Sequence, residues 1–246
     1  MPLFRKDGTS IYYEIRGSGY PLLLLPPGGM NATIDFWQNT AFNAAEVLTE
    51  HFRTIAIDQR NAGGSLGPLK EDNPWNAYWR DHVGLLNHLG IERCHVLGCC
   101  IGASYALNLM ARSPQRIAAA VLEQPIGLDS NNEDLWPKIY SEWAVALVEK
   151  RSKTHPDIDH ESAMIFGKRM WTGDFVFSVT RDQLKACKIP MLVLPGTDRA
   201  HPTSIGREIA ALAQVGEILE PWKEPGDLLP STVARIVAFL QANTPA

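Results

Sequence analysis

The chain has 246 residues, 45% of them hydrophobic, which is enough to bury one full core, and it carries a formal net charge of -4 with a sequence pI near 6.0. That balance gives no electrostatic reason to expect nucleic acid or an anionic membrane as partner. No apolar signal core opens the chain, and no run approaches the roughly 20 apolar residues of a membrane helix.

Asp7-Gly8 separates residues 3–5 from the alternating residues 11–15, which predicts an opening β-hairpin. Leu22 to Leu25 form a continuous apolar run, the pattern of a strand buried on both faces, and end at Pro26-Pro27-Gly28-Gly29-Met30. A glycine loop leaving such a strand can aim backbone N–H groups, that of Gly29 among them, at an oxyanion; an ordinary tight turn has the same composition. Residues 36–50 read as a helix and 53–57 as a second buried strand. The polar stretch that follows, Asp58-Gln59-Arg60-Asn61-Ala62-Gly63-Gly64-Ser65, suits a loop clamp. Asn73-Pro74 opens a helix with a capping side chain and a first-turn proline. Its apolar stripe, Trp75, Tyr78, Trp79, His82, Leu85, Leu86 and Leu89, runs to Gly90 and makes His82 a core histidine.

Strand 93–97 then runs into Gly98-Cys99-Cys100-Ile101-Gly102, which fits Gly-x-nucleophile-x-Gly with Cys100 at the centre. The glycines remove Cβ atoms where strand and helix backbones nearly touch, so the central residue is held in a strained, exposed conformation. The thiol lies at the amino end of the following helix, where unpaired N–H groups favour a thiolate. The competing reading is a buried, inert cysteine. The other cysteines, Cys94, Cys99 and Cys187, complete no CxxC pair and no metal-ligand spacing, so neither a metal nor a disulfide framework is expected. Reduced thiols without a targeting segment predict a soluble, cytoplasmic protein.

The helix after the turn continues through Arg112, and strand 117–122 ends at Glu123-Gln124-Pro125. Over residues 127–188 the strand-helix alternation gives way to charged, aromatic-rich segments. Their Trp136, Trp143, Met164, Phe166, Met170 and Trp171 either pack the segment onto the sheet or line a pocket. Alternation resumes at 189–194, which ends in Pro195-Gly196-Thr197-Asp198-Arg199-Ala200-His201-Pro202. A helix to about Ala213, a strand at 217–219 and a last helix striped by Val233, Ile236, Val237 and Leu240 follow.

The glycine loop at 28–30, the Asp58-x-Arg60 cluster and the Gly98-to-Gly102 elbow, in this order, resemble the α/β-hydrolase family over nearly the whole chain. Asn61 and Gly64 depart from the family's usual loop pattern. The resemblance implies an α/β fold: a mostly parallel, doubly wound sheet with helices on both faces. It divides the chain into a core of residues 1–126 and 189–246 and a helical lid insertion at 127–188. It also implies oxyanion donors from Ile101 and the Gly28-Gly29-Met30 loop, an acid at Asp198, no cofactor, and a histidine after the final strand. That histidine is missing, since none occurs beyond His201. Three readings remain open. His201 reaches Cys100 as base, oriented by Asp198 or by Glu123; or the thiolate acts without it, aided by the helix end or by His155 or His160; or hydrolysis is lost and a pocket is kept. For His201, ordering its own loop is the structural alternative.

The expected activity is hydrolysis of an activated carbonyl in a small hydrophobic molecule: an ester, lactone, thioester, or ketone beside a labile C–C bond. It proceeds through a Cys100 thioester, with a small-molecule substrate and a homodimer as a further expectation. Dienelactone hydrolase, a relative by fold with a cysteine nucleophile, brings in lactones by analogy. The alternative is a non-hydrolytic binding protein or a lyase on the same fold.

Overall fold

In the computed structural model, which describes residues 2–70 and 72–245, Asp7 and Gly8 take φ of 48° and 76°. This is primed-turn geometry, and it joins β1 (Leu3–Lys6) to β2 (Thr9–Arg16) as the expected antiparallel hairpin. Met1 and Ala246, the outer ends of the predicted core, lie outside the described residues, as does Glu71. The remaining strands are β3 (Pro21–Leu25), β4 (Arg53–Ile57), β5 (Cys94–Cys99), β6 (Ile117–Glu123), β7 (Met191–Leu194) and β8 (Gly216–Ile218). They make one eight-stranded sheet in the order β1-β2-β4-β3-β5-β6-β7-β8, antiparallel at β1, β2 and β4 and parallel from β4 to β8.

The unbroken Leu22 to Leu25 run is explained by position. β3 sits between β4 and β5, and all four leucines are fully buried. Leu23 and Leu25 face α2 (Pro74–His88) and α3 (Ile101–Arg112), whereas Leu22 and Leu24 face α1 (Ala44–Val47) and α8 (Leu229–Ala242). Each leucine so buried contributes roughly 1.5–3 kcal/mol of transfer free energy. The fold is therefore the doubly wound α/β arrangement with helices on both faces. Among the described residues no helix is long and apolar enough to cross a membrane.

One predicted element is corrected. Residues 36–50 do not form a continuous helix: a 3-10 segment (Ile34–Asn39) is followed by the single turn α1 and a second 3-10 turn (Leu48–Glu50). Two short polar side chains interrupt the helix. The Thr40 hydroxyl donates to the carbonyls of Trp37 and Phe42, and the Asn43 side chain accepts from the N–H of Ala45, starting a new helix there.

Residues 127–188, between β6 and β7, contain α4 (Leu135–Arg151), α5 (His160–Met170) and α6 (Arg181–Ala186) and no strand. α4 and α5 pack on each other, α5 also against α2, and α4 against the Gly29–Asn31 turn. Two indoles tie the segment down. Trp143 Nε1 donates to the Met30 carbonyl at 2.9 Å, and Trp75 Nε1 to that of Met170 at 3.2 Å. Trp136 stacks on Trp171 at 5.0 Å, so these aromatics pack the segment. The last helix before β8, α7 (Thr203–Leu212), begins directly after Pro202.

Candidate active site

The chain turns at the end of β5 through Cys100, which has φ 59° and ψ -120°, a region that a side chain rarely occupies. The geometry explains both glycines. A Cβ on Gly98 would lie 2.1 Å from the Gly102 carbonyl oxygen, and one on Gly102 would lie 2.0 Å from that of Leu25. Both obstacles are backbone, so Gly102→Ala is expected to cost about 2–4 kcal/mol or prevent folding, read as a lowered denaturation midpoint. The Cys100 N–H donates to the Glu123 carbonyl at 2.9 Å, which ties the turn to β6. α3 starts at the next residue, so its unpaired N–H groups open toward the thiol.

Burial alone would push the Cys100 thiol up. The charge of His201, a hydrogen bond to it, and hydrogen bonds from the N–H groups of Ile101 and Gly28 outweigh burial and hold the thiol below its ordinary value. Of the Gly28-Gly29-Met30 loop, Gly28 is the residue whose N–H lowers the thiol. Gly28 takes φ 119° at the start of the 3-10 turn, a left-handed conformation that favours glycine.

His201 and Asp198 share the loop between β7 and α7. Asp198 accepts from the N–H groups of Ala200 and His201 at 2.9 and 3.0 Å, and its carboxylate takes His201 Nδ1 at 2.8 and 2.9 Å. Asp198 therefore orders the loop and orients the ring with one carboxylate. With Nδ1 held as a donor, Nε2 is directed elsewhere. It is buried without a partner of strict hydrogen-bond geometry, and its link to the Cys100 sulfur is charge first and hydrogen bond second. Burial opposes protonation of the ring, but the Cys100 charge and the Asp198 hydrogen bond raise His201 to about 10. The hydrogen bond from His201 holds Asp198 down at about 2. The pull is mutual: the Cys100 charge raises His201, and the His201 charge lowers Cys100.

Glu123 does not hold the His201 ring. Its side chain is fully buried, and neither carboxyl oxygen makes a hydrogen bond of good geometry; the Cys99 thiol, Lys223 and His201 are the groups around it. Burial raises it to about 8, against the pull of Cys99, Lys223 and His201. A carboxyl raised in this way favours the folded state most below its ordinary value of 4.5, and the contribution is lost as pH rises through about 8. Glu123→Gln is accordingly expected to raise the melting temperature more at pH 9 than at pH 5, by an amount worth a few kcal/mol.

The segment after β8, where the family's histidine was expected, packs instead. Trp222 Nε1 donates to the Pro195 carbonyl at 2.7 Å, and Lys223 donates to the Gln124 side chain. Of the other histidines considered, His155 is bonded to Thr154 at 2.8 Å, and His160 begins α5 in the open. His82 is a core histidine as expected, bonded through Nε2 to Gln59 at 2.8 Å. The polar loop after β4 acts as a clamp. Asp58 accepts from the N–H groups of Ile34 and Gly64, and Arg60 is forked on Asp81 at 2.7 and 2.8 Å. No cluster of three or more metal-ligating side chains occurs among the described residues.

A strained turn at Cys100 flanked by two glycines and a histidine oriented by an aspartate thus sit on an α/β sheet with helices on both faces. A family model described as the alpha/beta hydrolase fold matches residues 21–158, more than half of the chain, and the protein belongs to that family. Over part of its length it is similar to 2-hydroxymuconate semialdehyde hydrolase of a Pseudomonas species: 34% identical over 114 residues, 46% of this chain and 38% of that one. It is similar also to 2-hydroxy-6-oxo-6-phenylhexa-2,4-dienoate hydrolase of Comamonas testosteroni: 29% over 122 residues, 50% of this chain and 42% of that one. These matches span about two fifths of the relatives' length. In structure it resembles the meta-cleavage product hydrolase of Pseudomonas fluorescens, with TM-score 0.72 and 17% identity over 99% of this chain and 98% of that one, a likeness of fold.

Proposed function

We propose that the protein is a cofactor-independent hydrolase that opens an activated carbonyl of a small hydrophobic molecule through a covalent Cys100 thioester. The observation that supports this most is the strained, glycine-flanked turn at Cys100 together with the His201 ring held by Asp198, whose charge is felt at the thiol. The Cys100 thiolate attacks the carbonyl carbon, forming the C–S bond while the C=O pair moves onto oxygen. The Ile101 and Gly28 N–H groups stabilise that oxyanion. As the carbonyl re-forms, the leaving group departs with the proton of the His201 imidazolium. Neutral His201 then takes a proton from water, the hydroxide attacks the thioester, and the C–S bond breaks to return thiolate, imidazolium and a carboxylic acid. Asp198 keeps Nδ1 protonated and the ring oriented throughout.

In this reading residues 127–188 are the lid, with α4 seated on the Gly29–Asn31 turn beside the elbow. The names of the relatives, hydrolases of a dienoate and of a muconate semialdehyde, support counting activated carbonyls beside conjugated carbon chains among the candidates, with esters, lactones and thioesters. Thiolates favour soft or activated acyl groups, so simple amides are not among them.

The test is intact mass after rapid quenching with a panel of activated esters, lactones and thioesters. One acyl group per chain, mapped to Cys100 and discharged by water, is the expected result. Ligand binding with no adduct from any member would favour the binding-protein or lyase alternative.

A further inference from the structure

Four polar side chains near the nucleophile are buried without filling their hydrogen-bonding capacity. Tyr105 lies on α3, the helix that starts at the thiol, and feels the Cys100 charge. Its ring is 4.6 Å from that of Tyr78 and 5.7 Å from that of His82, both on α2, and His82 is bonded to Gln59. All four residues are at most 1% exposed. Four of their atoms have no partner of good geometry: Gln59 Nε2, Tyr78 Oη, His82 Nδ1 and Tyr105 Oη. The two tyrosine hydroxyls interact with each other, which still leaves donors and acceptors over. Buried polar groups are normally paired, so a group of orphans beside a reactive thiol calls for an occupant. Phe166 of α5 stands 6.2 Å from Tyr78 and 5.9 Å from Trp143, the indole bonded to Met30 next to the Gly28 N–H. The cluster therefore lies under the helices of residues 127–188, on the side of the elbow that the Gly28 loop borders.

We propose that Gln59, Tyr78, His82 and Tyr105 form a substrate subsite that receives an uncharged oxygen function, a hydroxyl or ketone, on the chain of the acyl group carried by Cys100. This rests on the thioester reading given above.

The donor count fixes the chemistry of the occupant. With His82 Nε2–H donating to Gln59 Oε1, His82 Nδ1 is an acceptor, while Gln59 Nε2 and the tyrosine hydroxyls donate. The set can both give and accept, which matches a hydroxyl and, through its donors, a ketone. It does not match a carboxylate, because the cation whose charge reaches His82 and Tyr78 is Arg60, which already has its partners. Burial and the Arg60 charge push His82 down to about 3, so the ring stays neutral, and burial pushes both tyrosines up. The nearby guanidinium of Arg60 is already forked on Asp81 and bonded to Thr9 and the Pro68 carbonyl. A carboxylate among these four groups would be a buried, unpaired charge. A hydrocarbon chain would leave the four atoms orphaned. Sites of this kind discriminate strongly against analogues that lack the hydrogen-bonding group.

The experiment uses the intact protein and p-nitrophenyl esters of straight-chain acids at several lengths, each ending in methyl, hydroxyl, methyl ketone or carboxylate. At one length the hydroxyl or ketone member is expected to exceed the methyl member by about tenfold or more in kcat/KM, with the carboxylate member below both. Tyr105→Phe and Gln59→Leu are each expected to shrink that lead to within about threefold, mainly through KM. The wild-type ranking stands even if one variant fails to fold. Equal rates for methyl and hydroxyl members at every length, a preference for the carboxylate, or a lead unchanged in both variants would overturn the subsite and leave ordered water as the occupant. Absence of a Cys100 adduct with every member would overturn the thioester reading itself and this inference with it.

Discussion

Cys100→Ala is expected to abolish the acyl adduct and to lower kcat/KM on any substrate of the wild type by roughly 10⁴-fold or more. The reason lies in what remains after the sulfur is gone. The Ile101 and Gly28 N–H groups and the His201–Asp198 pair stay in place, but no group is left that can form the covalent bond. Alanine keeps the Cβ that the φ 59° turn already accommodates, so the elbow retains its conformation and the loss reports on chemistry. An unchanged melting temperature with lost turnover, measured on the same sample, is the expected pair of observations. Turnover within about tenfold of wild type would remove the thiol from the mechanism.

His201→Ala is expected to lower kcat/KM by about 10²–10⁴-fold and to change the shape of the pH profile. In the wild type, activity should rise as pH passes the depressed value of the Cys100 thiol. It should fall again as His201 loses its proton near pH 10, since in the proposed mechanism the imidazolium both holds the thiolate and supplies the leaving-group proton. Removing the ring takes away the largest pull opposing burial, so the thiol moves up and the acid limb of the profile moves up with it. Activity in the variant should therefore climb with pH where the wild type declines. A variant with the wild-type profile would assign His201 to ordering its loop.

The elements whose residues carry their own constraint were legible in the sequence. The leucine run at 22–25 needed only burial on two faces, and the glycines at 98 and 102 only a close approach of backbones; both show directly in residue type. The stretch at 36–50 was misread because apolar spacing there is compatible with a helix, while the Thr40 and Asn43 side chains that break it act through local hydrogen bonds. Cys100, Asp198 and His201 were each named from the sequence, but which groups meet was not. A loop has no periodicity, so the choice between Asp198 and Glu123 as partner of the His201 ring depended on the path of residues 195–202. Gly28 and Gly29 are chemically identical neighbours, so residue type does not choose between their N–H groups. The pairing of Lys223 with Gln124 joins residues far apart in the chain and left no signal at all.

The central claim is that Cys100 is a thiolate made by His201, and the most direct measurement is the rate of Cys100 alkylation against pH, followed by intact mass, in wild type and His201→Ala. Reactivity titrating well below the free-cysteine value of about 8.5, with its low-pH part lost in the variant, is what the geometry predicts. A slow, ordinary titration that the substitution leaves unchanged would contradict it.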